Sequence, residues 1–193
     1  MDRYEFYKER YYNELERKGS TMESHGIPIS LLTGLLAALF YFVTNLGLED
    51  VVFNWALFLF FILMIPSLIF ISAAFYYLYR SYSGGYKYYN LPNTDALQKH
   101  EVKLLEEFKG QDNANQLAKK KFRGFLIKQF IECTATNTVN NNKRAHFLFW
   151  ANRMLICAIT CIALSTAPFF IHQYKFKKTE KQENAKEIFY IYT

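Results

Sequence analysis

The chain has 193 residues, a net charge of +6 and an apolar share of 51%. That is the length of one ordinary soluble domain, with a near-average apolar content. Three cysteines, Cys133, Cys157 and Cys161, form an odd set without framework spacing, which argues against a disulfide-stapled scaffold and leaves them as small packing residues.

The averages conceal a segregation. No residue is charged from Ser24 to Leu48, from Val51 to Tyr79, or from Met154 to Ile171. An apolar, charge-free run of about 18 or more residues is long enough to cross a bilayer as a helix. The first run starts too late, near Ile27, and is too long for a signal peptide. It also lacks a small-x-small cleavage site, so it is expected to be retained.

Residues 1–26 are expected to form an amphipathic N-terminal helix on the cytoplasmic side. Tyr4, Tyr7, Tyr11 and Leu15 share a stripe, with Gly19-Ser20 as its end. The stripe suits either a membrane interface or another helix. Residues 27–79 read as a transmembrane hairpin. Pro28 lies in the first turn of one helix, an acidic Gly-Leu-Glu-Asp turn falls at 47–50, and Pro66 lies inside the second helix as a kink and hinge. The next stretch, "RSYSGGYKYYNLPN" (80–93), breaks the helix at Gly84 and Gly85, a second hinge. Seven of the fifteen tyrosines lie between Tyr76 and Tyr89, which suits an aromatic belt at the headgroups; the rival reading is a partner-docking surface.

Residues 80–146 are expected to form a basic cytoplasmic helical region. One helix is expected with Thr94 or Asp95 as its N-cap, and a second begins near Ala114. The Asn/Thr-rich stretch 134–142 has poor helix propensity, so it either interrupts the second helix or is held helical by its neighbours. Residues 147–171 form a third transmembrane helix or a re-entrant segment, and 172–193 a polar tail. The expected fold class is therefore an all-α membrane protein. Residues 80–153 carry thirteen Lys and Arg against six acids, and the 47–50 turn carries none. The positive-inside rule then places the N-terminus and the basic region in the cytoplasm.

Motifs of enzyme chemistry are missing. There is no phosphate-binding glycine loop, no nucleophile elbow and no paired metal-ligand histidines among His25, His100, His146 and His172. The expectation is a non-enzymatic protein without a cofactor. Lys119, Lys120, Lys121 and Arg123, in "KKKFRGFLIK", suit contact with anionic lipid or a protein partner better than with nucleic acid. Finally, Asn137, Asn141, Arg144, Leu148 and Asn152 step by three or four along a helix, and the polar members of that stripe, Asn137, Asn141, Arg144 and Asn152, outline a polar seam. Polar groups near bilayer depth favour a bundle interior, and a homo-oligomer would supply one.

An N-terminal helix, an early hairpin, the exit "YSGGYKYYNLP" (82–92) and the entry "NNNKRAHFLFWANRML" (140–155) together resemble small bacterial membrane effectors. These are the effectors encoded beside antiphage modules, in retron- and cyclic-nucleotide-associated abortive-infection systems. The resemblance implies a bacterial inner-membrane protein, held by a soluble sensor, that disrupts the membrane or leaks ions on release. A third apolar segment departs from the two-helix pattern of that group. The alternative is a non-toxic membrane anchor for a soluble partner.

Overall fold

The structure, a computed structural model, describes residues 2–46 and 55–191, with side chains described as far as Lys175. The expected 47–50 turn lies outside them. The described residues form five helices and no strand: α1 (Arg3–Glu23), α2 (Gly26–Thr44), α3 (Trp55–Ser83), α4 (Thr94–Glu107) and α5 (Ala114–Ile191). They divide into two compact units. The first comprises Met1–Ser24 and Ser81–His146, the second His25–Arg80 and Phe147–Thr193.

Several element ends differ from the sequence reading. α1 does not stop at Gly19-Ser20 but continues to Glu23, and the Thr21 and Ser24 hydroxyls bond back to the carbonyls of Arg17 and Ser20. The cap of α4 is Asn93, not Thr94 or Asp95: its Oδ1 accepts from the Ala96 N–H at 2.9 Å. The two helices and the polar tail expected after residue 114 are one 78-residue helix, and the Asn/Thr-rich stretch lies inside it. No helix break occurs over 147–171.

The second unit is a three-helix bundle. The Gln173 amide donates to the Asn45 carbonyl at one end, and Tyr77 stacks on Phe147 and Trp150 at the other. Those contacts make α2 and α5 parallel and α3 antiparallel to both. Buried positions alternate steps of three and four: Ala151, Leu155, Ala158, Ile162, Ser165, Phe169 and His172 on α5, with matching series on α2 and α3. A 3.5-residue repeat is the signature of left-handed helix packing. Small residues let the backbones approach: Ala56, Ala74, Ala151, Ala158, Ser67 and Ser165 are fully buried. The two serine hydroxyls satisfy themselves on the carbonyls three residues back, Met64 and Ile162.

The outside of this unit is apolar too. Ile27 is 74% exposed and Phe40 72%, with Ile65, Ile69, Phe75, Ile156 and Leu164 also exposed. Soluble monomers rarely expose this much apolar side chain, and large apolar patches mark membrane or protein contact surfaces. Three helices are long and apolar enough to cross a membrane. Pro66 lies inside α3, where the Ile62 carbonyl has no N–H four residues on to receive it.

The first unit has a different core. Tyr11, Phe130 and Cys133 are buried, with Tyr4, Tyr7, Leu15, Leu91 and Leu126 against them. The aromatic stripe of α1 therefore packs on the N-terminal part of α5. Asp2 meets Arg123 and Glu14 meets Asn141, so α1 and α5 run parallel there. α4 folds back on α5, with His100 against Phe125 at 4.3 Å.

Candidate functional site

The segment between α3 and α4 has no regular structure and lies along the surface of the first unit. Gly85 starts it with φ of +71°, a conformation an L-residue adopts only at a cost. Residues 86–92 then lie as a strap on α5. A strap must satisfy its backbone N–H and C=O groups without a neighbouring strand. The asparagines of α5 do this. Asn137 is fully buried; its Oδ1 accepts from the Tyr89 N–H and its Nδ2 donates to the Tyr89 carbonyl, both at 2.9 Å. One side-chain amide thus replaces a strand partner. One turn on, Asn140 Nδ2 donates to the Lys87 carbonyl at 2.7 Å.

Asn141 links three segments. Its Oδ1 accepts from the Tyr88 hydroxyl at 2.7 Å, and its Nδ2 donates to both the backbone carbonyl and Oε2 of Glu14, at 2.8 and 2.7 Å. Both amide hydrogens are used. Arg17 lies 3.6 Å from the other Glu14 oxygen and also donates to Asn142 at 2.7 Å.

Arg144 is 3% exposed. Its Nε donates to the Ser81 carbonyl at 3.0 Å, and the Ser81 hydroxyl returns a bond to the Arg144 carbonyl at 2.9 Å. Ser81 lies in the last turn of α3, where carbonyls lack helical partners and the helix dipole is negative, so the guanidinium acts as a C-terminal cap. Arg144 Nη1 also donates to the Tyr88 hydroxyl at 3.3 Å, and the guanidinium lies over the Tyr86 and Tyr88 rings at 5.8 and 6.0 Å. A buried cation therefore reaches the Glu14 carboxylate only through Tyr88 and Asn141. Among the described residues, Arg144 Nη2 and the Thr134 hydroxyl are buried without a hydrogen-bond partner.

The structure thus brings together three of the four expected seam residues, Asn137, Asn141 and Arg144, around the strap. Asn152 is not with them. It belongs to the second unit and is exposed, while Ala151 occupies the buried position. The reason is geometric: a buried stripe alternates three and four, and two successive steps of four, 144 to 148 to 152, drift off it. Lys119, Lys120 and Lys121 are exposed on α5, but Arg123 is engaged by Asp2 and lies over Tyr4 at 5.2 Å. Sequence reasoning missed Ser81, Glu14, Tyr88 and Asn140. The Ser81 and Glu14 partners lie 63 and 127 positions away, so no local pattern could reveal them.

Burial pushes the Cys133 thiol above its ordinary pKa, and the neighbouring Glu132 adds to the shift. The three cysteines are free. Among the described residues, no group of three or more His, Cys, Asp or Glu side chains is placed to hold a metal ion. The polar side chains of this cluster fix one irregular segment against two helices. No family model, curated protein or solved structure matches the chain.

Proposed function

We propose that the protein is a bacterial inner-membrane effector of antiphage defence. It acts as a homo-oligomer and is held inactive by a soluble sensor protein. The three apolar helices cross the membrane, with the N-terminus and the basic first unit in the cytoplasm. Release by the sensor lets the membrane segments disrupt the bilayer or conduct ions. One observation carries this reading: α3 and α5 both contribute residues to each unit, and Ser81 of α3 and Arg144 of α5 exchange two hydrogen bonds. A sensor that loosens the strap would therefore act on helices that continue into the membrane. The positive-inside rule supports the orientation, because thirteen of the twenty-three Lys and Arg lie between residues 80 and 153.

The test is induced expression in bacteria without a partner, followed with a potential-sensitive dye. The expected result is depolarisation and growth arrest. Normal potential and growth, with a constant stoichiometric partner in pull-downs, would instead make the protein a non-toxic anchor.

A further inference from the structure

The strap of residues 86–92 is fastened along one edge. Three alternate residues bond the helices through their main chain. Asn140 donates to the Lys87 carbonyl, Asn137 bonds both the N–H and the carbonyl of Tyr89, and the Leu91 N–H donates to the Tyr11 hydroxyl of α1 at 3.3 Å. Main-chain bonding with a period of two belongs to an extended chain, where the N–H and C=O of one residue leave by one edge and those of the next by the other. Tyr88 and Asn90 therefore turn their main-chain groups to the opposite edge. Among the described residues, no hydrogen bond engages the main-chain N–H or C=O of either. Lys87, Tyr89 and Asn90 are exposed, so that edge lies at the surface of the first unit.

An exposed edge of unpaired N–H and C=O groups is a template for a second extended chain. This edge is short. Pro92 has no N–H to offer, and Gly85, at φ +71°, leaves the extended region, so pairing is confined between them. Within those limits an antiparallel copy of the same strap, with a two-fold axis at Tyr89, matches every free group. Tyr88 of each copy then lies opposite Asn90 of the other, and each such pair exchanges both of its N–H···O bonds. An axis at Asn90 would instead set Tyr88 against Pro92, which cannot donate. The side chains agree with the axis at Tyr89. Tyr89, 55% exposed, meets its counterpart in a non-hydrogen-bonded pair, where cross-strand side chains come closest. Lys87 falls opposite Leu91, so the two lysines stay apart.

We propose that the free edge of the strap binds the strap of a second copy of this chain, as an antiparallel pair centred on Tyr89. This rests on the reading that the protein acts as a homo-oligomer, and it names the surface through which two copies meet.

The test follows full-length protein in detergent micelles by sedimentation over a dilution series. The expected result is reversible association that Asn90→Pro weakens about tenfold or more, because each copy loses one N–H at the pairing edge. Cross-linking decides independently of how that variant folds. With Cys133, Cys157 and Cys161 replaced by alanine, Tyr89→Cys should form a disulfide between copies, since the paired Cα atoms come within about 4.5 Å. Lys87→Cys should not, because the two positions stand four residues out of register, about 14 Å apart. Association that Asn90→Pro leaves unchanged, or a Tyr89→Cys disulfide no more abundant than the Lys87→Cys one, would overturn the proposal and leave homo-oligomerisation standing. A parent protein that stays monomeric at every concentration, with neither disulfide formed, would overturn the homo-oligomer reading itself.

Discussion

Asn137 and Asn152 are the same residue type fifteen positions apart on one helix, and they are predicted to respond very differently to substitution. Asn137→Leu leaves the N–H and carbonyl of Tyr89 without their partner. Each unmet group costs about 1–3 kcal/mol, so a loss of about 2–4 kcal/mol is expected, read as a lower thermal midpoint and faster proteolysis within the strap. Asn152→Leu, at an exposed position, should stay within about 0.5 kcal/mol. The same assay on both variants decides it, and equal shifts would contradict the assignment. Cys133 provides a pH prediction. Its thiol is raised by burial first and by Glu132 second. Below about pH 8.5 folded and unfolded thiols both keep their proton, so the shift contributes nothing. As pH rises past that value the unfolded thiol ionises first, and stability falls relative to a Cys133→Ala variant. A stability difference between the two that does not change from pH 7 to pH 10 would contradict it. At this scale the sequence was partly legible. Repeated asparagines at helical spacing pointed to Asn137 and Asn141, whereas their partners Glu14, Tyr88 and Ser81 are joined to them only by folding.

The strap and α5 explain each other at the level of elements. The Asn/Thr-rich stretch 134–142 has weak helix propensity. It is helical nonetheless, because the asparagine side chains that would compete for its own backbone are bonded to the strap and to α1 instead. This is tertiary context overriding propensity, the second of the two readings that the sequence left open for this stretch. Gly84 and Gly85 were legible as a break, and the positive φ of Gly85 explains why glycine is there. An added Cβ at Gly85 meets no atom within 4 Å, so the cost of Gly85→Ala is conformational alone, about 1–2 kcal/mol. Asn93→Ala removes the cap of α4 and should cost about 1 kcal/mol. Both can be measured as shifts in denaturant midpoint. A Gly85→Ala protein as stable as its parent would mean that the strap starts in another conformation.

For the whole molecule, the apolar helices were legible from charge-free runs alone, since no soluble core needs three of them. Their packing was not: the alternation of three and four that buries Ala151 rather than Asn152 becomes visible only once all three helices are in place. Under the function proposed above, this chain acts on membrane permeability when no partner holds it. Purified protein in potassium-loaded vesicles tests it most directly. With insertion verified by resistance to alkaline extraction, an imposed potassium diffusion potential should collapse faster than in empty vesicles, with the rate rising steeply with protein density. Vesicles that contain inserted protein and hold the potential as long as empty ones would contradict the account.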